Sequence, residues 1–121
     1  MLWALEVCIV VIGSLVPDRV IPFDRLPNDK VLHFAGYFVA GALAPFAFER
    51  IRSWVSIAVA LIGLGVVVEY AQRAMSLGRS WDPHDMLANT LGVISGLALG
   101  LLLQPATRGL WAKLRGPIDP L

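Results

Sequence analysis

The sequence predicts an all-α, polytopic membrane protein: four transmembrane helices in an up-and-down bundle, forming a single domain over residues 1–121. Three observations carry this. Hydrophobic residues make up 57% of the chain and charged residues only 16%, whereas charged residues fill about a quarter of an ordinary soluble domain. The mean hydropathy is +0.70, and the apolar residues fall into four runs separated by proline-bearing or charged stretches. The ionisable and amide residues gather where those runs begin or end.

The first run predicts a helix over 2–16. It is shorter than the roughly 20 residues that cross a hydrocarbon core, so it crosses with little tilt or by thinning the bilayer. A signal peptide is the poorer reading, because the run has no basic n-region, carries Glu6 near its start and shows no small-x-small cleavage site before Pro17. Cys8 is the only cysteine, which rules out an intramolecular disulfide or a cysteine zinc site. Pro17, Pro22 and Pro27 make the first connection stiff and extended.

The second run predicts a helix over 30–48, with Pro45 kinking or ending it. A short connection from Glu49 to Ser53 leads into a third helix over 54–74. Residues Ser76 to Trp81 are turn-like. Asp82 then stands as the N-cap of a fourth helix over 83–103 whose first position is Pro83, with Asp85 placed like the acid of a capping box. Pro105 is expected to close it. In the tail, 105–121, Leu110, Trp111 and Leu114 alternate with Arg108, Lys113 and Arg115, the pattern of an interfacial amphipathic segment. Trp3, Trp54 and Trp81 are placed as interfacial anchors.

Up-and-down topology brings the polar groups to one membrane face: Asp29, Lys30, His33 and Tyr37 open helix two, Glu69, Gln72 and Arg73 end helix three, Arg79 follows, and Asp82, Asp85 and Asn89 open helix four. Lys30, His33 and Tyr37 share one helical face, and Asp29 lies one turn before His33. Gly92, Gly96 and Gly100 continue the face of Asp85 and Asn89 as small-xxx-small steps that let another helix approach closely. Polar side chains at such depth are expensive and mark function. Glu69, still inside its apolar run, requires a cation or a proton as partner. Basic residues divide evenly between the two faces: Arg19, Arg25, Lys30, Arg73 and Arg79 on one, Arg50, Arg52, Arg108, Lys113 and Arg115 on the other. Acidic residues concentrate on the first face, which predicts cytoplasmic termini and an outward-facing polar site.

The run from Asp29 through Lys30, His33 and Gly36 to Tyr37, then Glu69, Tyr70 and Gln72, then Arg79, Asp82, Asp85, Asn89 and Gly92, resembles the pattern of the VanZ-like membrane proteins, named for a teicoplanin-resistance protein. The resemblance covers roughly Asp29 to Leu103. It implies a small bacterial multi-helix protein of the cell envelope, placed in the cytoplasmic (inner) membrane, and implies no particular reaction.

The functional expectation is a polar site that binds the headgroup of a membrane lipid or lipid-linked envelope precursor, with a link to teicoplanin tolerance. Its ligand-binding residues are Asp29, Lys30, His33, Tyr37, Glu69, Gln72, Arg73, Arg79, Asp82, Asp85 and Asn89. Within it Arg73 and Arg79 hold an anionic group, and His33, Glu69 and Asp85 are the candidates for proton transfer. The alternatives are a noncatalytic structural or accessory protein, in which the same residues form a polar knot, and a small transporter component, for which a through-path of polar residues is missing. His33, Glu69, His84 and Asp85 are metal ligands by type, but no paired motif such as HExxH is present. The expectation is therefore no metal and no cofactor. Nucleophile motifs and phosphate-binding glycine loops are absent as well, and dispersed, balanced basic residues exclude a nucleic-acid partner.

Overall fold

The computed structural model describes residues 1–17, 20, 29–48, 51–75 and 82–115, the side chains of 29, 51–53, 106, 107 and 109–115 excepted. The described residues form helices only: α1 (Leu2–Leu15), α2 (Asp29–Ala47), α3 (Ile51–Ala74) and α4 (Pro83–Arg115). Within them, Lys30–Ala47, Trp54–Ala74 and Pro83–Pro105 are long and apolar enough to cross a membrane. Their outward faces carry Val31, Phe34, Val59, Val67, Leu91, Ile94 and Leu102, all exposed, as a lipid-facing surface requires.

The helix α1 is the shorter apolar element, about 21 Å long at 1.5 Å per residue. None of its residues is fully buried. It lies on the outside of the bundle, placing Trp3, Val7 and Val10 against a core of Tyr37, Ala40, Leu61 and Val93. Two hydrogen bonds pin its ends. Trp3 Nε1 donates to the Ala40 carbonyl at 3.0 Å, and Gln72 Nε2 donates to the Ser14 carbonyl at 2.5 Å.

The most intimate interface joins α2 to α4. These helices run parallel, as the second and fourth of an up-and-down chain must, and the glycines of α4 let their backbones touch. A Cβ at Gly92 would meet the Phe34 carbonyl, one at Gly96 the Phe38 carbonyl, and one at Gly100 the Ala42 carbonyl. Gly41 of α2 answers from the other side, its missing Cβ leaving room for the Val93 carbonyl. Side chains as small as hydrogen give two helices this approach without a hydrophobic driving force from the lipid.

The fourth helix departs from expectation. It does not close at Pro105 but continues through it to Arg115, so the residues expected to form a separate interfacial tail begin as helix. Proline removes one backbone hydrogen bond and costs about 3 kcal/mol inside a helix. Here good helix formers flank it, Leu101 to Gln104 before and Ala106, Leu110, Ala112 and Leu114 after, and the helix persists. Pro45 is likewise accommodated inside α2, two residues before its end. The carbonyl of Pro45 accepts a hydrogen bond from Gln104 Nε2 at 2.6 Å. Beside it, Trp54 Nε1 donates to the Phe48 carbonyl at 2.7 Å, so the non-site end of the bundle is also tied.

Candidate functional site

Three ladders of residues spaced four apart build the site. They are His33, Tyr37 and Gly41 on α2; Glu69, Gly65 and Leu61 on α3, read inward from its C-terminal end; and Asp85, Asn89 and Val93 on α4. Residues four apart lie above one another on a helix, so the ladders stack in layers about 6 Å apart.

The outer layer is the triad His33, Glu69 and Asp85. Each residue is buried, and a ligand atom from each lies within 4.8 Å of the others. His33 Nε2 stands 3.9 Å from Glu69 Oε1, and Glu69 is only 1% exposed. In the next layer Asn89, also 1% exposed, places its Oδ1 3.1 Å from His33 Nδ1. An amide oxygen can only accept, so this bond puts the proton of neutral His33 on Nδ1 and turns the Nε2 lone pair toward Glu69. Opposite them Gly65 makes room: a Cβ there would stand 3.1 Å from Asn89 Nδ2 and 3.4 Å from the Tyr37 hydroxyl. Both of those polar atoms are buried without a hydrogen-bond partner among the described residues. The third layer is apolar. Leu61 and Val93 are 3% and 0% exposed and close the site from the rest of the bundle.

Above the triad lies a charged rim. Lys30 Nζ donates to Asp82 Oδ2 at 2.6 Å and to Asp85 Oδ1 at 3.3 Å. Asp82 also caps α4, accepting from the His84 backbone N–H at 2.8 Å, and its Oδ1 lies 2.7 Å from His84 Nδ1. Hydrogen bonds from the Lys30 ammonium, then from the His84 backbone and ring, hold the Asp82 carboxyl well below the usual carboxylate range. The N-cap at Asp82 and the first position at Pro83 stand as the sequence predicts. The capping-box role of Asp85 gives way to another, since its carboxylate turns inward to Lys30.

The structure therefore brings together Lys30, His33, Tyr37, Glu69, Asp82, Asp85 and Asn89. Gln72 is buried beside them but spends its amide on Ser14, tying α3 to α1. Arg73 is exposed at the end of α3. His84 is exposed on the far side of Asp82. Arg79 and the Asp29 side chain lie outside the described residues. One polar residue escaped the sequence reading of the site. Glu6 of α1 has a buried Oε2 with no hydrogen-bond partner among the described residues. Its signal was plain, a carboxylate inside an apolar helix, but no polar neighbour on α1 marked which way it faced.

A family profile described as VanZ/LLP1 matches residues 8–104, which takes in every layer of the site and most of α1. The chain belongs to the VanZ/LLP1 family. The family match begins well before Asp29, so α1 is part of the family domain and not an appendage to it. No curated protein and no solved structure matches the chain. Membership together with the three apolar spans makes this VanZ/LLP1 protein a multi-pass membrane protein.

Proposed function

We propose that this VanZ/LLP1 protein binds, at one face of the bacterial cytoplasmic membrane, the headgroup of a lipid or lipid-linked envelope precursor, and through it supports tolerance to teicoplanin. The observation that carries this reading is the under-satisfied second layer. A purely architectural knot would pair its buried polar atoms, since each orphan costs about 1–3 kcal/mol. Yet Tyr37 Oη and Asn89 Nδ2, neither with a hydrogen-bond partner among the described residues, lie directly beneath His33, Glu69 and Asp85. Hydroxyls or phosphate oxygens of a headgroup supply the donors and acceptors that such atoms lack. Arg73 at the exposed rim is placed for an anionic group, as Arg79 is by sequence, and the triad offers proton acceptors and donors to whatever lies against it.

The accessory-protein reading has its own support in Gln72, whose amide serves packing alone. The transporter reading has little, because Leu61 and Val93 block the polar path one layer below Asn89. The test uses a teicoplanin-susceptible bacterium expressing the chain. His33→Ala and Asp85→Asn should return tolerance to the vector level while the membrane abundance of folded protein stays normal, and native mass spectrometry of the purified wild type should show a retained envelope lipid that both variants lose. Loss of tolerance only in step with loss of folded protein assigns the residues to architecture and ends the headgroup reading.

A further inference from the structure

The outer layer gathers the donor types of a metal centre, which no contiguous sequence motif discloses because they come from three different helices. We infer that His33 Nε2 and one carboxylate oxygen each of Glu69 and Asp85 bind a divalent transition ion, manganese or zinc in class. This stands whether or not a headgroup binds.

Three features support it. First, the three donor atoms lie within 4.8 Å of one another, and His33 Nε2 and Glu69 Oε1 are separated by 3.9 Å. That separation is too long for a hydrogen bond. Donors each about 2.0–2.2 Å from one tetrahedral ion stand roughly 3.3–3.6 Å apart, so small side-chain rotations draw these atoms in to ligand distance. Second, His33 is prepared as a ligand. Its Nδ1 is held by Asn89 Oδ1 at 3.1 Å, and metal-binding histidines routinely donate their other N–H to an oxygen, which fixes both tautomer and ring orientation. Third, Tyr37 Oη and Asn89 Nδ2, buried atoms of residues each 1% exposed and lacking hydrogen-bond partners among the described residues, sit one helical turn below the donors. An ion with three protein ligands keeps open positions for water or an exogenous oxygen, and such ligands satisfy polar atoms that the protein leaves unmet. One nitrogen and two carboxylate oxygens form a donor set of intermediate hardness, which suits manganese and zinc better than magnesium. The α2–α4 glycine contacts bring the helices that carry His33 and Asp85 into backbone contact, which lets their donors converge. His84, the remaining histidine, is exposed and points to Asp82, so it is not a ligand.

The experiment is a titration of the chelator-treated, detergent-purified full chain with Mn²⁺ alone, read by loss of the free-ion electron paramagnetic resonance signal, with Zn²⁺ as competitor. One saturable site per chain is expected. His33→Ala and Asp85→Asn should each weaken it by more than tenfold, Asn89→Leu by about 10–100-fold as loss of a ligand's outer partner does, and His84→Ala not at all. Because polar-to-apolar changes at this depth could unfold the chain, Asp85→Cys serves as the second arm. It keeps a ligand but exchanges oxygen for sulfur, so binding should persist with preference shifted from Mn²⁺ toward Cd²⁺. Folded wild type that shows no saturable site, a folded His33→Ala that binds as the wild type does, or an Asp85→Cys with unshifted preference each overturns the inference.

Discussion

His33 and Asn89 meet across the α2–α4 interface, Nδ1 to Oδ1 at 3.1 Å, both buried. This contact links the two helices whose glycine-lined surfaces pack most closely, and it decides which ring nitrogen faces the acids. A single substitution therefore strands a buried polar atom, whereas replacing both partners removes the need.

The first prediction is a double-mutant cycle on that pair. Asn89→Leu alone leaves His33 Nδ1 without its acceptor and should cost about 1–3 kcal/mol. Asn89→Leu combined with His33→Phe replaces both partners by apolar groups and should lose clearly less than the sum of the single losses. Unfolding of the purified protein in micelles measures all four corners. Additive losses would show that the contact carries no coupling.

The second concerns Glu69, buried in an α3 segment otherwise apolar for two turns before it. Changing a buried carboxylate strands the buried groups it faces, at about 1–3 kcal/mol and more where those groups are charged. Glu69→Gln should therefore destabilise the fold far more than Tyr70→Gln, one residue on, whose side chain is exposed. Equal and small effects would place Glu69 in contact with water.

The third is a pH dependence at the rim. The folded Asp82 carboxyl is held below its ordinary value by hydrogen bonds from Lys30 and His84. A group with a depressed folded pKa stabilises the fold above its unfolded pKa, about 3.9 for Asp, and loses that contribution as pH falls toward the folded value. The stability difference between wild type and Asp82→Asn should thus be flat from about pH 5 to 8 and shrink only below about pH 4. A difference that stays undiminished below about pH 4 would contradict the Lys30–Asp82 assignment.

Much of this fold was legible because its helices carry their information at fixed spacing. The four-residue ladders through His33 and Tyr37, through Glu69, and through Asp85 and Asn89 are visible in the chain, and up-and-down topology alone brings them to one face. The cap at Asp82 and Pro83 is equally local. Three things were not legible. Asp85 serves Lys30 rather than its own helix end, a choice made by a partner 55 residues away. Gln72 looks like a site residue by position, and only the placement of α1 sends it to Ser14. Pro105 reads as a stop, but a proline halts a helix only where the flanking residues do not favour its continuation, and here they do.

The fourth prediction separates glycines by what surrounds them. A Cβ at Gly96 would overlap the Phe38 carbonyl, a backbone atom that cannot rotate away, whereas one at Gly63 meets nothing within 4 Å. Gly96→Ala should force α2 and α4 apart and cost about 1–3 kcal/mol as overpacked sites do, together with loss of Mn²⁺ binding as His33 and Asp85 separate. Gly63→Ala should be neutral or slightly stabilising, since it removes backbone freedom without a clash. Similar losses at both positions would mean that the glycines act through helix propensity and not through contact.

The last prediction is the orientation of the site. Counted as sequence, the basic residues tie between the two faces, and basic residues near the membrane favour the cytoplasm. The structure weakens the tie on one side, because Lys30 is occupied by Asp82 and Asp85 while the opposite face holds Arg108, exposed beyond the α4 span. Arg73 stays exposed on the site face, so the acidic skew of that face carries the expectation of a triad facing outward and of α4's C-terminal end in the cytoplasm. In a Cys8→Ser background, a membrane-impermeant maleimide added to intact cells should label His84→Cys and leave Arg108→Cys untouched until the cells are permeabilised. The reverse pattern would put the polar site on the cytoplasmic face, where an extracellular glycopeptide cannot reach it, and any link to teicoplanin would then run through the precursor before its export.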